Sequence, residues 1–193
     1  MVAYDMIMIM IMSSDFLTLL SDLPCQRRKV AAGVLLFQRN DPVRFVYAIE
    51  KGAACLLRRQ SDGAAFVLQR AGPGAILAEA SIGTARYHCA AETVTDAGFR
   101  IWERSAIAAL LSGSHEAAAA YAAHLAGEVR QARLRAEILS LRRVADRLDA
   151  WLAWHDDCLP AKGLWRQVAQ DINVTPEALY REIAKRKGTL CSP

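Results

Sequence analysis

The chain has 193 residues, of which 53% are apolar and 23% charged, and its formal net charge is +4. That is enough for one domain of ordinary size and a smaller second one, and too apolar for a disordered chain. The longest unbroken apolar run, Met6 to Met12, falls far short of the roughly 20 residues a membrane-spanning helix needs, so no such helix and no membrane partner are expected. Asp5 stands where a secretory leader would carry basic residues and Ser13-Ser14-Asp15 makes a poor cleavage site, so the chain reads as cytoplasmic. Five cysteines (Cys25, Cys55, Cys89, Cys158 and Cys191) form no CxxC pair, which points to reduced thiols rather than to disulfides or a structural zinc site.

Charge is spread unevenly. Residues 1–129 hold 12 Lys+Arg and 12 Asp+Glu, whereas residues 130–193 hold 12 against 8, so the whole excess lies in the C-terminal third. A basic end on a neutral body suits a polyanion partner. A solvated helix surface accounts for the same charge, so the sequence pattern must decide.

From Lys29 to Ile101, short apolar runs alternate with turn residues. Val34 to Gln38, Arg44 to Ile49, Ala53 to Arg59, Ala64 to Arg70 and Phe99 to Trp102 are separated by Asn40-Asp41-Pro42, Lys51-Gly52, Ser61-Asp62-Gly63 and Gly72-Pro73-Gly74. Such spacing predicts a β-sandwich or barrel, with the clearest hairpin at Asp62-Gly63.

After Trp102 the composition turns helical through Trp154, with a break near Ser112-Gly113-Ser114. Ser114 is the expected N-cap of a long helix. Along it Ala118, Ala122, Leu125, Val129, Ala132, Ala136 and Leu139 recur at alternating spacings of four and three, the seam of a two-helix coiled coil. Leu134, Ile138 and Leu141 form a flanking stripe suited to packing within the chain, and burial of the whole helix in one subunit is the alternative to a dimer. Two-fold dimers with a basic end suit palindromic DNA.

The last segment reads as two short helices joined by a tight turn. Leu164 to Ile172 forms the first, Asn173-Val174-Thr175 the turn and Pro176 to Lys187 the second, with Thr175 as N-cap and Pro176 at the first helical position. Ala169, Ile172, Val174, Leu179 and Ile183 supply an internal core, leaving Glu177, Tyr180, Arg181 and Lys185 to project outward.

The phrases Tyr47-Ala48-Ile49-Glu50-Lys51-Gly52-Ala53 and Gly72-Pro73-Gly74-Ala75-Ile76-Leu77-Ala78-Glu79, followed by the long helix and the terminal helix pair, together resemble the cyclic-AMP receptor protein / fumarate and nitrate reductase regulator (CRP/FNR) family of bacterial transcription regulators, over roughly Phe16 to Leu190. The resemblance implies an α+β fold. It comprises an N-terminal cyclic-nucleotide-binding-like β-roll (a double-stranded β-helix) over 1–113, a dimerisation helix over 114–141, and a helix-turn-helix DNA-binding domain over 142–193 that lacks most of the wing. It implies a homodimer that reads a palindromic operator in double-stranded DNA, with RNA polymerase as a further partner. Thr175, Glu177, Tyr180, Arg181, Lys185 and Lys187 are the implied DNA-binding residues: Glu177 accepting from cytosine, Arg181 pairing with guanine, Thr175, Lys185 and Lys187 meeting phosphates. The alternatives are helix-dipole stabilisation by Glu177 and a Glu177–Arg181 ion pair.

Two departures from the family pattern matter. Relatives that bind cyclic AMP clamp its phosphate with an Arg-Ser pair, where this chain has Tyr87-His88-Cys89, while Glu79 keeps the position that would hold the ribose. Without the clamp a buried phosphate lacks its bidentate partner, so an effector other than cyclic AMP is expected. Arg86, one residue out of register, would face away. The implied effector pocket is Glu79, Tyr87, His88 and Cys89. His88 and Cys89 bind one metal together only at a bulge, and the simpler reading makes Cys89 a small buried apolar residue and His88 a surface or hydrogen-bonded one. A lone Cys25 does not suit an iron–sulfur cluster, haem is likewise set aside and metal binding stays open, although His155-Asp156-Asp157-Cys158, for all its metal-capable side chains, reads more simply as a polar loop with Asp157 available for capping. Second, only Gly188 to Pro193 follow the last helix where relatives form a β-hairpin wing, so some phosphate contacts would be lost, which predicts DNA binding weakened by an amount that depends on salt. With no phosphate-cradling Gly-rich loop, HExxH or GxSxG, no enzyme is expected. The competing function is a ligand- or metal-responsive binding protein of the same fold that acts through a protein partner.

Overall fold

The computed structural model describes residues 16–59, 65–77 and 79–186. They form two compact units, Met1–Gly127 and Glu128–Pro193, with one long helix running from the first into the second. Among the described residues no helix is long and apolar enough to cross a membrane.

The first unit opens with a helical segment, α1 (residues 16–21). Eight strands follow: β1 (Gln26–Val30), β2 (Leu35–Phe37), β3 (Phe45–Lys51), β4 (Ala54–Arg59), β5 (Ala65–Ala71), β6 (Ile76–Leu77), β7 (Ala90–Thr93) and β8 (Ala97–Glu103). They build two antiparallel four-stranded sheets, ordered β1-β8-β3-β6 and β2-β7-β4-β5. Tyr47, Ile49, Phe99 and Ile101 point from the first sheet into the core between the sheets, where Phe37, Leu56, Tyr87, Cys89 and Ala91 meet them. The intervening residues Val46, Ala48 and Trp102 point the other way and pack on Phe16, Leu20, Ile82 and Ile107. Period-two alternation thus buries both faces of the central strands, which is why β3 reads as a nearly continuous apolar run.

Five strands lie where turn spacing predicts them, each shifted by a residue or two. β1, β6 and β7 were not anticipated. β1 is Gln-Arg-Arg-Lys-Val with four of its five residues exposed, an edge strand held by backbone pairing with β8 from Gln26↔Ile101 to Val30↔Ala97. Pairing of that kind leaves no hydrophobic signature. The Asp62-Gly63 turn and the Met6 to Met12 run lie outside the described residues, although β4 and β5 pair antiparallel on either side of the former.

Helix α2 (Arg104–Gly113) ends where the Ser-Gly-Ser break is expected, and α3 (His115–Ser140) begins after it. Ser114 caps α3, its hydroxyl accepting from the Ala117 N–H at 3.1 Å. In the second unit α3 is followed by α4 (Val144–Trp154), a 3₁₀ turn (Lys162–Leu164), α5 (Trp165–Asp171) and α6 (Pro176–Lys185). Ile138, Leu148, Trp151, Leu152, Leu159, Val168, Ala169, Ile172, Leu179 and Ile183 form its core, with Leu134 and Val174 packed alongside. Asn173 adopts φ +51° after α5, with its N–H donating to the Gln170 carbonyl at 3.2 Å and that of Val174 to the Ala169 carbonyl at 2.8 Å. This paired closure ends α5 sharply, with asparagine in the left-handed position glycine usually takes.

Between β3 and β4 the chain turns at Gly52, with φ +80°. A Cβ there would collide with the Asp96 carbonyl oxygen and lie 2.8 Å from the Ala97 Cα, both backbone atoms with little room to move. Gly52→Ala should therefore destabilise the first unit by roughly 1–3 kcal/mol, whereas Gly72→Ala, which meets open space at ordinary φ, should change thermal unfolding little. Equal melting temperatures for the two variants would refute this account of the turn.

Candidate functional site

Helix α6 carries the polar surface anticipated from sequence. Leu179 and Ile183 are buried against the unit's core, while Glu177, Tyr180, Arg181 and Lys185 are exposed on the opposite side. Spacings of three and four set these four side chains along one face. Thr175 caps the helix, accepting from the Ala178 N–H at 3.2 Å, and Pro176 follows at the first position. Two residues have partners the sequence did not disclose. The Tyr180 ring lies 5.7 Å, centroid to centroid, from Trp165, and the Lys185 ammonium is 3.5 Å from Glu182, itself bound by Arg186 at 3.0 Å. Lys185 is still 68% exposed, so that pair is weak and easily exchanged. Lys187 and Gly188 to Pro193 lie outside the described residues.

The faces of α3 differ. Ala117 and His124 are buried and Tyr121 half-buried in the first unit, as are Ile138 and Leu134 in the second. On the seam, Ala122, Ala132 and Ala136 are exposed, Val129 and Leu139 are 47% and 38% exposed, and Ala118 and Leu125 are half-buried. Of the stripe expected to pack within the chain, Leu134 and Ile138 do so, and most of the four-three seam is left facing outward.

In the β-roll a 3₁₀ turn (Glu79–Ser81) holds Glu79 and Ser81 buried. Two helices tether it: the Tyr121 hydroxyl of α3 donates to the Glu79 carbonyl at 2.8 Å, and Arg104 at the start of α2 donates to the Ile82 carbonyl at 2.8 Å. Ser81 Oγ lies 3.1 Å from His88 Nδ1, sharing one hydrogen bond whose direction follows the imidazole tautomer. Burial, then the charge of Arg58, lower the His88 pKa and favour the neutral ring.

The segment around Tyr87 precedes β7 and is not regular strand, yet exposure still alternates: Tyr87 and Cys89 are buried and His88 is exposed. Tyr87 is a core residue, stacked on Phe37 at 3.9 Å, its hydroxyl donating to the Phe45 carbonyl at 2.6 Å. Burial first pushes its pKa up to about 12. Cys89 lies in the same core with its pKa raised to about 11, by burial and then by the Glu79 carboxylate, against the opposing pull of Arg58. Burial and the Glu79 charge both favour the thiol over the thiolate that a nucleophile needs. Arg86 faces outward and donates to the Asn40 carbonyl at 2.6 Å.

Of the four residues expected to line a pocket, Glu79, His88 and Cys89 thus cluster near the 3₁₀ turn while Tyr87 packs away from it. Arg58, Ser81 and Tyr121 join the cluster and were not singled out beforehand. No linear pattern marked any of the three, since β4 is buried from Ala54 to Leu57 and exposed at Arg58. Among the described residues no group of three or more His, Cys, Asp and Glu is placed to hold a metal ion. His155 instead stacks on Trp151 at 3.6 Å and bonds its carbonyl through Nδ1 at 2.7 Å.

Residues 27–114 match the cyclic nucleotide-binding domain family. Comparison with curated proteins finds no match. Among solved structures the chain is similar to FixK2 from Bradyrhizobium japonicum, at 20% identity and a TM-score of 0.70, covering 86% of this chain and 85% of that one. It is similar also to TTHB099, a CRP-family transcriptional regulator from Thermus thermophilus, at 20% identity and a TM-score of 0.59 over 86% and 88%. A third is CLP, a c-di-GMP-responsive global regulator of Xanthomonas campestris, at 17% identity and a TM-score of 0.59 over 84% and 86%. The two-sheet roll, over which residues 27–114 match the cyclic nucleotide-binding domain family, is followed by the long helix and terminal helix pair, and the chain has the fold of the CRP-type transcriptional regulators.

Proposed function

We propose that this chain is a homodimeric, sequence-specific DNA-binding transcription regulator whose β-roll answers an effector other than cyclic AMP. The observation that carries the reading is α6: a capped helix held by Leu179 and Ile183 on one side, with Glu177 and Arg181 one turn apart on the exposed other. Glutamate can accept from a cytosine amine and arginine can pair with guanine O6 and N7, so the two suit adjacent steps of a major groove. The basic excess of the C-terminal third supplies the field that draws such a helix to phosphate. RNA polymerase is the partner such a regulator would address at a promoter.

The exposed seam of α3 supports the dimer. A heptad-spaced apolar stripe on a helix whose other face is already packed suits a second copy of the same helix, and its alanines allow close approach. The cluster around Glu79 supports the change of effector. The Arg-Ser clamp of the cyclic AMP binders is missing from the turn: Arg86 is spent on the Asn40 carbonyl, Tyr87 is in the core, and the nearby cation is Arg58 on another strand. CLP, described as c-di-GMP-responsive, is compatible with a fold whose effector varies.

Replacing Leu125 and Val129 together by Glu sets like charges opposite one another across the seam, so sedimentation should detect monomers. An unchanged dimer would mean the seam lies elsewhere.

Calorimetry should detect weak cyclic AMP binding or none. Tight, stoichiometric binding would show that another cation, Arg86 or Arg58, supplies the clamp.

In gel-shift assays on a selected palindrome, Arg181→Ala should cost about 1–3 kcal/mol and relax preference at one base position per half-site, with nonspecific binding reduced far less. Lys185→Ala should weaken specific and nonspecific DNA alike and flatten the salt dependence. Recovery of the same site at the same affinity with Arg181→Ala would remove it from base reading, and no preferred sequence for the unmodified protein would sink the regulator reading in favour of a protein partner.

A further inference from the structure

Arg147 on α4 makes four hydrogen bonds, all to backbone carbonyls. Its Nε donates to Leu141 at 2.8 Å and its Nη2 to Leu139 at 3.2 Å; its Nη1 donates to Ile172 and to Asn173, both at 3.0 Å. The first two carbonyls belong to the last turn of α3 and the residue just beyond it, and the second two to the turn between α5 and α6. Carbonyls at helix ends have no partner within the helix, so each is open to an outside donor. A single planar guanidinium with donors in fixed directions satisfies both ends at once. Among the described residues no carboxylate pairs with Arg147, so its hydrogen bonding is given over to these main-chain groups.

Its placement is firm. The next residue, Leu148, is fully buried, with Trp151 and Leu152 one turn on, so α4 is fixed in the unit's core. At the other end of α6, Arg186 bonds Asp149, Glu182 and the Ala145 carbonyl. Helix α6 is therefore secured to α4 on both sides, and through Arg147 the turn before it is secured to the end of α3.

We propose that Arg147 is a positioning residue for DNA recognition, fixing where α6 stands relative to the end of the α3 seam and so the half-site spacing the dimer accepts. This rests on the DNA-regulator reading. Leu139, whose carbonyl Arg147 holds, is the last member of that seam, and Asn173 lies three residues ahead of Pro176, where α6 begins. Spacing in a two-fold dimer is set by the path from the dimer axis to each recognition helix, and the Arg147 guanidinium bridges two points on that path. Base preference resides instead in Glu177 and Arg181, which Arg147 does not touch.

The test compares the unmodified protein with Arg147→Lys and Arg147→Gln. A palindrome is first selected, and affinities are then measured for it and for versions with the spacer one base pair longer or shorter. In the variants the discrimination between spacings should fall by about two- to thirtyfold, the range expected for loss of one coupling contact, with the half-site sequence unchanged. Discrimination equal to that of the unmodified protein would overturn the proposal. So would equal weakening at every spacing accompanied by a lower melting temperature, the mark of a purely structural role. Should Arg147→Gln fail to fold, Arg147→Lys keeps the charge and the stem but not the planar donors. If the unmodified protein selects no sequence, the regulator reading falls and the spacing role with it. Amide exchange at Asn173 and Val174 then reads the clamp alone: faster exchange in Arg147→Lys would uphold it, and unchanged exchange would overturn it.

Discussion

Strands β3 and β8 have no face left for water, and the first unit is arranged around that constraint. Tyr47, Ile49, Phe99 and Ile101 need a second sheet opposite them, while Val46, Ala48 and Trp102 need a layer of helix behind. Each such side chain contributes on the order of 1.5–3 kcal/mol when fully buried. Surface ion pairs such as Arg27–Glu50, whose arginine side chain is 75% exposed, contribute at most about 1 kcal/mol. The roll and its helical backing are therefore settled by burial, and the polar contacts refine what burial has already arranged. Because the helical layer is obligatory, α3 passes close enough to the 3₁₀ turn for Tyr121 to reach the Glu79 carbonyl.

That contact makes the cluster near Glu79 more than a pocket wall. A ligand engaging Glu79, Ser81 or His88 would act on a turn whose backbone is bonded to α3 through Tyr121 and to α2 through Arg104. Its electrostatics differ from those of a site built to clamp an anion at the turn itself. Arg58 reaches the cluster from β4, and its charge helps keep His88 neutral while opposing the rise in the Cys89 pKa.

Elements that bury side chains in a regular period were legible in the sequence. Strands β3 and β4, the break at Gly113, the cap at Ser114 and the core of the terminal helix pair all follow from apolar runs bounded by turns, helix-breaking residues, capping chemistry or helical spacing. What escaped was held by the backbone. β1 is polar and exists by pairing with β8, and β7 begins only at Ala90, after an irregular stretch in which Tyr87 turns into the core. The same limit applies at the site. Glu79 and His88 stood out as residue types, whereas Ser81, Tyr121 and Arg147 act through carbonyls or through neighbours distant in sequence, and nothing in a linear pattern marks an arginine that will bond four main-chain oxygens.

The C-terminal unit divides its labour accordingly. The side chains that hold α6 in place are short, buried or committed: Thr175 to a backbone N–H, Leu179 and Ile183 to the core, Arg186 to Asp149 and Glu182. Those on its outer face are long and lightly held, Lys185 by one exposed pair. A helix that met DNA on a loose scaffold would lose binding free energy to ordering its own backbone at each encounter, at roughly 1–2 kcal/mol per residue fixed. Here the backbone is ordered beforehand by the cap, the asparagine turn and the two arginines, so only a few side-chain rotamers remain to be fixed. On the proposed regulator reading, that prior ordering would let a handful of base contacts be expressed as sequence preference rather than absorbed by the folding of the reader.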